Sequence, residues 1–151
     1  MTPLRWVNGY APDAWVEVGA AVTVRTANQQ WTATPAEFAA GRYAAEAVAA
    51  LDHERYVEIL AVLRHGPLPA CERPLAILAN CACGSGPSTP SEHGTIETLV
   101  EPVQYPGAPI TALASVGRCR VCGRVWVITE SGDDHYSWTR CMVPFQGPSV
   151  A

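Results

Sequence analysis

The stretch Cys119-Arg120-Val121-Cys122-Gly123-Arg124-Val125-Trp126 decides how the second half of this chain is read. Two cysteines separated by two residues let the backbone curl until both sulfurs point into one turn, and a glycine directly after them supplies the conformational freedom needed on leaving it. The residues that follow, Arg124 to Glu130, are rich in Val, Ile, Trp and Thr and read as a strand. A partner strand spans His135 to Val143, with Ser131-Gly132-Asp133-Asp134 as the turn between the two. Pairing across Gly132-Asp133 sets Cys141 opposite Gly123, Arg124 or Val125, beside the cysteine turn.

Upstream, Cys81-Ala82-Cys83-Gly84 forms a second tight, turn-rich cysteine pair. A structural zinc ion takes four soft ligands in a tetrahedron, and two short cysteine pairs at the tips of separate turns supply them with no open position. These residues resemble the zinc-ribbon class, in which a Cys-x-x-Cys-Gly turn feeds a β-hairpin and a second cysteine pair lies elsewhere on the chain. The resemblance covers about residues 80–143. The class implies a metal-pinned sheet, and the two pairs here make Cys81, Cys83, Cys119 and Cys122 the expected ligands of a structural Zn2+. The first pair has one intervening residue where the class has two, which leaves Cys141 or His135 as a substitute for one of its ligands. Cys71, after a proline-rich link, reads as a buried or idle thiol.

Before these pairs the patterning is mixed. Segments 4–9 and 14–26 alternate with period two and read as a hairpin turning at Asn8-Gly9 through Pro12-Asp13. Thr34-Pro35-Ala36-Glu37 is a helix start, with Thr34 as N-cap and Pro35 in the first helical position, and Gly41 is a point of interruption. Asp52 caps a second helix that runs to about His65 and stops at Gly66-Pro67. Its Tyr56, Ile59, Leu60 and Leu63 fall on one apolar face. A short strand at Leu75–Ala79 follows, then strands at Ile96–Tyr105 and Ile110–Val116. The fold class is α+β: an N-terminal β-hairpin plus two helices, followed by a mainly antiparallel, zinc-ribbon-like β-sheet. The units are residues 1–79 and 80–151, able to form one compact domain.

Composition narrows the function. At 151 residues the chain makes one or two compact units, with 48% apolar and 16% charged residues. All ten basic residues are arginine, which excludes Schiff-base and phosphate-loop lysine chemistry and hints at a GC-rich bacterial genome. The net charge of −4 leaves no basic arm for nucleic acid. The N-terminus shows no charged start followed by an apolar run, and no apolar run is long enough for a membrane span, so the expectation is a cytoplasmic protein whose cysteines bind metal rather than form disulfides.

Catalytic patterns are not found. A four-thiolate zinc is closed to water, and the zinc-deaminase signature fails because Glu54 adjoins His53 and Arg118 precedes Cys119. His53 and His65 read as surface or capping residues, His135 beside Asp133 and Asp134 as a solvated turn, and Gly84-Ser85-Gly86 as a turn without the lysine of a phosphate loop. The chain is therefore read as non-enzymatic.

Two binding functions compete. Arg118, Arg120, Arg124 and Arg140 are expected to surround the Cys119–Cys122 turn, with Trp126, Tyr136 and Trp138 interleaved, a combination suited to phosphates and unstacked bases of single-stranded nucleic acid. The acidic balance and Glu130, Asp133 and Asp134 oppose that reading. The preferred expectation is a protein partner, in the way that immunity proteins sequester a toxin, since Arg and aromatic side chains also anchor protein interfaces.

Overall fold

Side chains that alternate in size and polarity make the first sheet. In the computed structural model, which describes residues 2–70, 96–104, 112–120, 123–132 and 138–149, strands β1 (Leu4–Val7), β2 (Trp15–Val18), β3 (Val22–Arg25) and β4 (Gln30–Ala33) pair antiparallel in chain order. Trp6, Val16, Val18, Val22, Val24 and Ala33 are buried on one face. The register places Arg5, Glu17, Thr23 and Thr32 in one row of the opposite face and Val7, Trp15, Arg25 and Gln30 in the next. The expected hairpin is thus half of a four-stranded meander. The pattern that resumes at Val22 is a third strand, reached through a turn closed by Gly19 N–H donating to the Ala21 carbonyl (3.0 Å). Strand β4 is four residues long and alternates polar with apolar only twice, too little to stand out in the sequence.

Helix α1 (Pro35–Ala39) starts as its sequence predicts. The Thr34 hydroxyl accepts from Glu37 N–H at 3.1 Å while the Glu37 carboxylate accepts from Thr34 N–H at 3.0 Å, a complete capping box. The chain then bends through two left-handed residues, Gly41 (φ 108°) and Tyr43 (φ 62°), and re-enters helix as α2 (Ala44–Ala50). Helix α3 (His53–His65) is capped by Asp52, whose carboxylate accepts from Arg55 N–H at 2.7 Å, and ends at Gly66. Among the described residues there are three helices where two were expected, because the Gly41–Tyr43 bend divides the first.

The second sheet is again an antiparallel meander: β5 (Ile96–Gln104), β6 (Ala112–Cys119), β7 (Val125–Gly132) and β8 (Trp138–Pro144). Helix α2 packs on β2 and β3, α3 packs on β5, β6 and β7, and both α1 and α2 touch α3, so the helices lie between the sheets. This explains the burial of α3, where every residue from Tyr56 to Val62 is buried instead of the single stripe expected. A continuous apolar cluster takes in both sheets and all three helices, from Trp6 and Val24 through Phe38, Ala47 and Ile59 to Val116 and Val127. The α+β class stands, and a zinc ribbon is not shown among the described residues.

Polar groups tie these layers together. Glu58, wholly buried on α3, accepts four hydrogen bonds: from Trp6 Nε1 (3.2 Å) and Gly147 N–H (3.1 Å) at Oε1, and from Gln146 N–H (2.7 Å) and Arg55 Nη1 (2.8 Å) at Oε2. Burial pushes its pKa up, opposed by the Arg55 charge and then by the N–H donors. The histidines of α3 hold β5: His65 Nε2 donates to the Leu99 carbonyl (2.8 Å) and His53 Nε2 to the Val103 carbonyl (3.1 Å), where β5 slips register against β6. Beyond β8, Ser149 N–H donates to the Arg5 carbonyl (2.7 Å) and its hydroxyl accepts from Val7 N–H (3.1 Å), so the tail covers the free edge of β1.

Candidate functional site

The turn that carries the cysteine motif is built by its backbone. Cys119 N–H donates to the Arg124 carbonyl (2.9 Å) and Gly123 N–H to the Cys119 carbonyl (2.8 Å), with Gly123 in the left-handed region (φ 78°) that the sequence assigned to it. The Cys119 side chain is buried beside Trp126 and Ile128, with Ile96 and Met142 packed around them. Cys81, Cys83, Cys122 and His135 lie outside the described residues, as do Cys71 and the strand expected at Leu75–Ala79.

The metal reading needs correction. Among the described residues no group of three or more His, Cys, Asp or Glu side chains comes together to hold a metal ion. The description of the chain as a metal-binding zinc ribbon is withdrawn accordingly. What holds the second sheet in the described residues is backbone pairing, the apolar cluster on α3 and the two histidine bonds to β5. The substitute ligand Cys141 also moves. Strand β7 runs on through Gly132, so Cys141 pairs with Thr129 and not with Gly123, Arg124 or Val125. At about 3.3 Å per residue, that sets its backbone roughly 13 Å along the sheet from Val125.

The same register divides the arginine patch. Arg118, Arg120 and Arg124 remain at the β6–β7 turn, Arg118 opposite Glu97 of β5, but Arg140 pairs with Glu130 toward the other end of the hairpin. Trp126 is only 2% exposed, a core residue and no stacking platform. Its indole Nε1 and the Nε atoms of Arg118 and Arg124 are buried without a hydrogen-bond partner among the described residues. Trp138 is the first residue of β8, and Tyr136 lies outside the described residues.

The outer face of the first sheet, by contrast, presents a ready-made arrangement that sequence reasoning overlooked. The Arg5 guanidinium lies 4.0 Å from the Trp15 ring centroid and also donates twice to Glu17 Oε2, from Nη2 at 2.7 Å and from Nε at 3.0 Å. On the other side of Trp15 in the register stands Arg25, whose Nη1 donates to Gln30 Oε1 at 3.1 Å. Beyond the strand ends, Tyr10 is fully exposed at the β1–β2 turn. That turn is rigid: Asn8 Oδ1 accepts from the N–H groups of Tyr10 (2.8 Å) and Ala11 (3.1 Å), and Asn8 Nδ2 donates to the Ala50 carbonyl of α2 (2.9 Å). The signal available in the sequence was the alternation itself, which puts Arg5, Trp15 and Arg25 on the face opposite to Val16, Val18, Val22 and Val24.

Comparison with protein-family models, with curated proteins and with solved structures gives no match to this chain in any of the three. Among the described residues no helix is long and apolar enough to cross a membrane.

Proposed function

We propose that this chain is a non-catalytic cytoplasmic binding module that sequesters a protein partner, in the manner of immunity proteins, and that the outer face of the β1–β4 sheet is its working surface. The observation that carries the reading is the stacking of Arg5 on Trp15, with Tyr10 fully exposed in the turn that leads into β2. Trp, Tyr and Arg are the residues that dominate protein interfaces, and an antiparallel sheet does not need them on its wet face for stability. Their neighbours hold them in place before binding, Glu17 fixing Arg5 and Asn8 fixing the Tyr10 turn, which lowers the ordering cost of association. The competing nucleic-acid reading has less support, because Trp126 is buried and Arg140 is paired in register with Glu130, away from the other arginines.

The test is to purify the full chain at native abundance from its own cells and measure complex mass by light scattering after gel filtration. A discrete, stoichiometric, nuclease-resistant complex with one second polypeptide, dissociated by Trp15→Ala, is expected. A free chain, or a complex that nuclease dissolves, contradicts the proposal.

A further inference from the structure

Resting on that reading, we infer that the outer face of the first sheet takes an acidic segment of its protein partner, with a carboxylate seated on Arg25 and an apolar or aromatic side chain against Trp15 and Tyr10. Charge decides the chemistry. The chain as a whole carries a net charge of −4, yet this face presents two guanidinium groups and one carboxylate. Glu17 is already committed to Arg5 through two hydrogen bonds. Arg25 has no carboxylate partner among the described residues, its bond to Gln30 being to a neutral amide oxygen.

An arginine with its charge uncompensated offers a planar fork that matches a carboxylate bidentately. Trp15 directly across the strand pair then supplies the apolar surface that excludes water from such a contact. Phosphate would meet the same guanidinium, but it would also meet Glu17 in the adjoining row, within a chain whose overall charge repels polyanions. An acidic peptide segment needs to place only one charge on Arg25, and its backbone neighbours are free to be apolar.

The experiment pans the full chain against a displayed library of random dodecapeptides, then measures synthetic peptides from the selected sequences by fluorescence anisotropy. The expected result is enrichment of Asp or Glu next to an aliphatic or aromatic residue, with affinity reduced at least tenfold by Arg25→Glu, severalfold by Arg25→Gln and by Tyr10→Ala, and unchanged by Arg120→Glu. Circular dichroism and thermal melting of each variant separate lost binding from lost folding, and the milder Arg25→Gln keeps the test usable if Arg25→Glu does not fold. Selected peptides without acidic enrichment, or no selection above background, overturn the inference while leaving the stoichiometric complex of the broader reading to its own test. Acidic peptides that ignore Arg25→Glu but are lost with Arg120→Glu move the surface to the β6–β7 turn and overturn it equally. Binding of an oligothymidylate of twenty nucleotides, steeply weakened by salt and abolished by Arg25→Glu, overturns it in favour of single-stranded nucleic acid.

Discussion

The indole N–H of Trp6 donates to the carboxylate of Glu58 across 3.2 Å, joining the first strand to the third helix at a separation of 52 residues. The same carboxylate takes the N–H groups of Gln146 and Gly147 and the Arg55 guanidinium, so one buried side chain anchors β1, α3 and the segment after β8. Glu58→Gln keeps the shape but turns one acceptor into a donor facing N–H groups, and it leaves Arg55 without its buried partner. A loss of about 3 kcal/mol in unfolding free energy is expected, read from urea denaturation, and Glu58→Ala should lose at least as much. A change below about 1 kcal/mol would show that the carboxylate is not a tie point.

Gly117 on β6 has no room for a methyl group. A Cβ there would stand 2.5 Å from Ile96 Cγ2 and 3.3 Å from the Glu97 carbonyl oxygen, with Ile128 Cδ1 at 3.4 Å. Gly117→Ala should cost about 1–3 kcal/mol by overpacking. Ile96→Ala in the same chain removes the closest atom, so the double variant should lose less than the sum of the two single losses, a coupling that a thermodynamic cycle measures.

Acid acts on two groups with opposite sign. Burial lowers the His53 pKa from 6.5, so the unfolded chain takes up the proton first as pH falls, and the stability that neutral His53 contributes is present above 6.5 and lost on acidification through that value toward its folded pKa. Burial raises the Glu58 pKa above 4.5, so the folded chain takes up that proton first, and acidification between the folded value and 4.5 works in favour of folding. Between about pH 8 and pH 5 the stability difference between wild type and His53→Asn should therefore narrow, as measured by denaturation at each pH. A constant difference would mean that the ring does not rest neutral against the Val103 carbonyl.

Asn8 makes three hydrogen bonds with its side chain and sets the turn that displays Tyr10. Asn8→Ala should destabilise the chain by about 1–2 kcal/mol and speed hydrogen exchange at the Tyr10 and Ala11 amides. Tyr10→Ala, with nothing packed on the ring, should change stability by no more than about 0.5 kcal/mol.

Local chemistry was legible in the sequence, and long-range pairing was not. The capping box of Thr34 and Glu37, the Asp52 cap and the Gly66 stop are written in adjacent residues, and they sit where they were expected. The strands of the second sheet were recognised by composition, but their register was not, because Gly132-Asp133 looks like the centre of a turn while β7 runs on through Gly132. That slip alone displaced both Cys141 and Arg140 from the cysteine turn. Nothing local in the sequence marks Glu58, since the groups that bury and bond it are supplied 52 residues earlier and 88 to 89 residues later. That Arg5, Trp15 and Arg25 share a face was open to inspection through the alternation, yet only the helices packed on the opposite face show that, among the described residues, this face is the one without a helix against it.

Hydrogen exchange on the chain alone and on the chain in its native complex tests the central claim most directly. Protection gained on binding should fall within residues 5–25, at the β1–β2 turn around Tyr10 and along the central strands β2 and β3 that carry Trp15 and Arg25. Protection gained instead at Arg118–Arg124, with residues 5–25 unchanged, would contradict the assignment of the working surface.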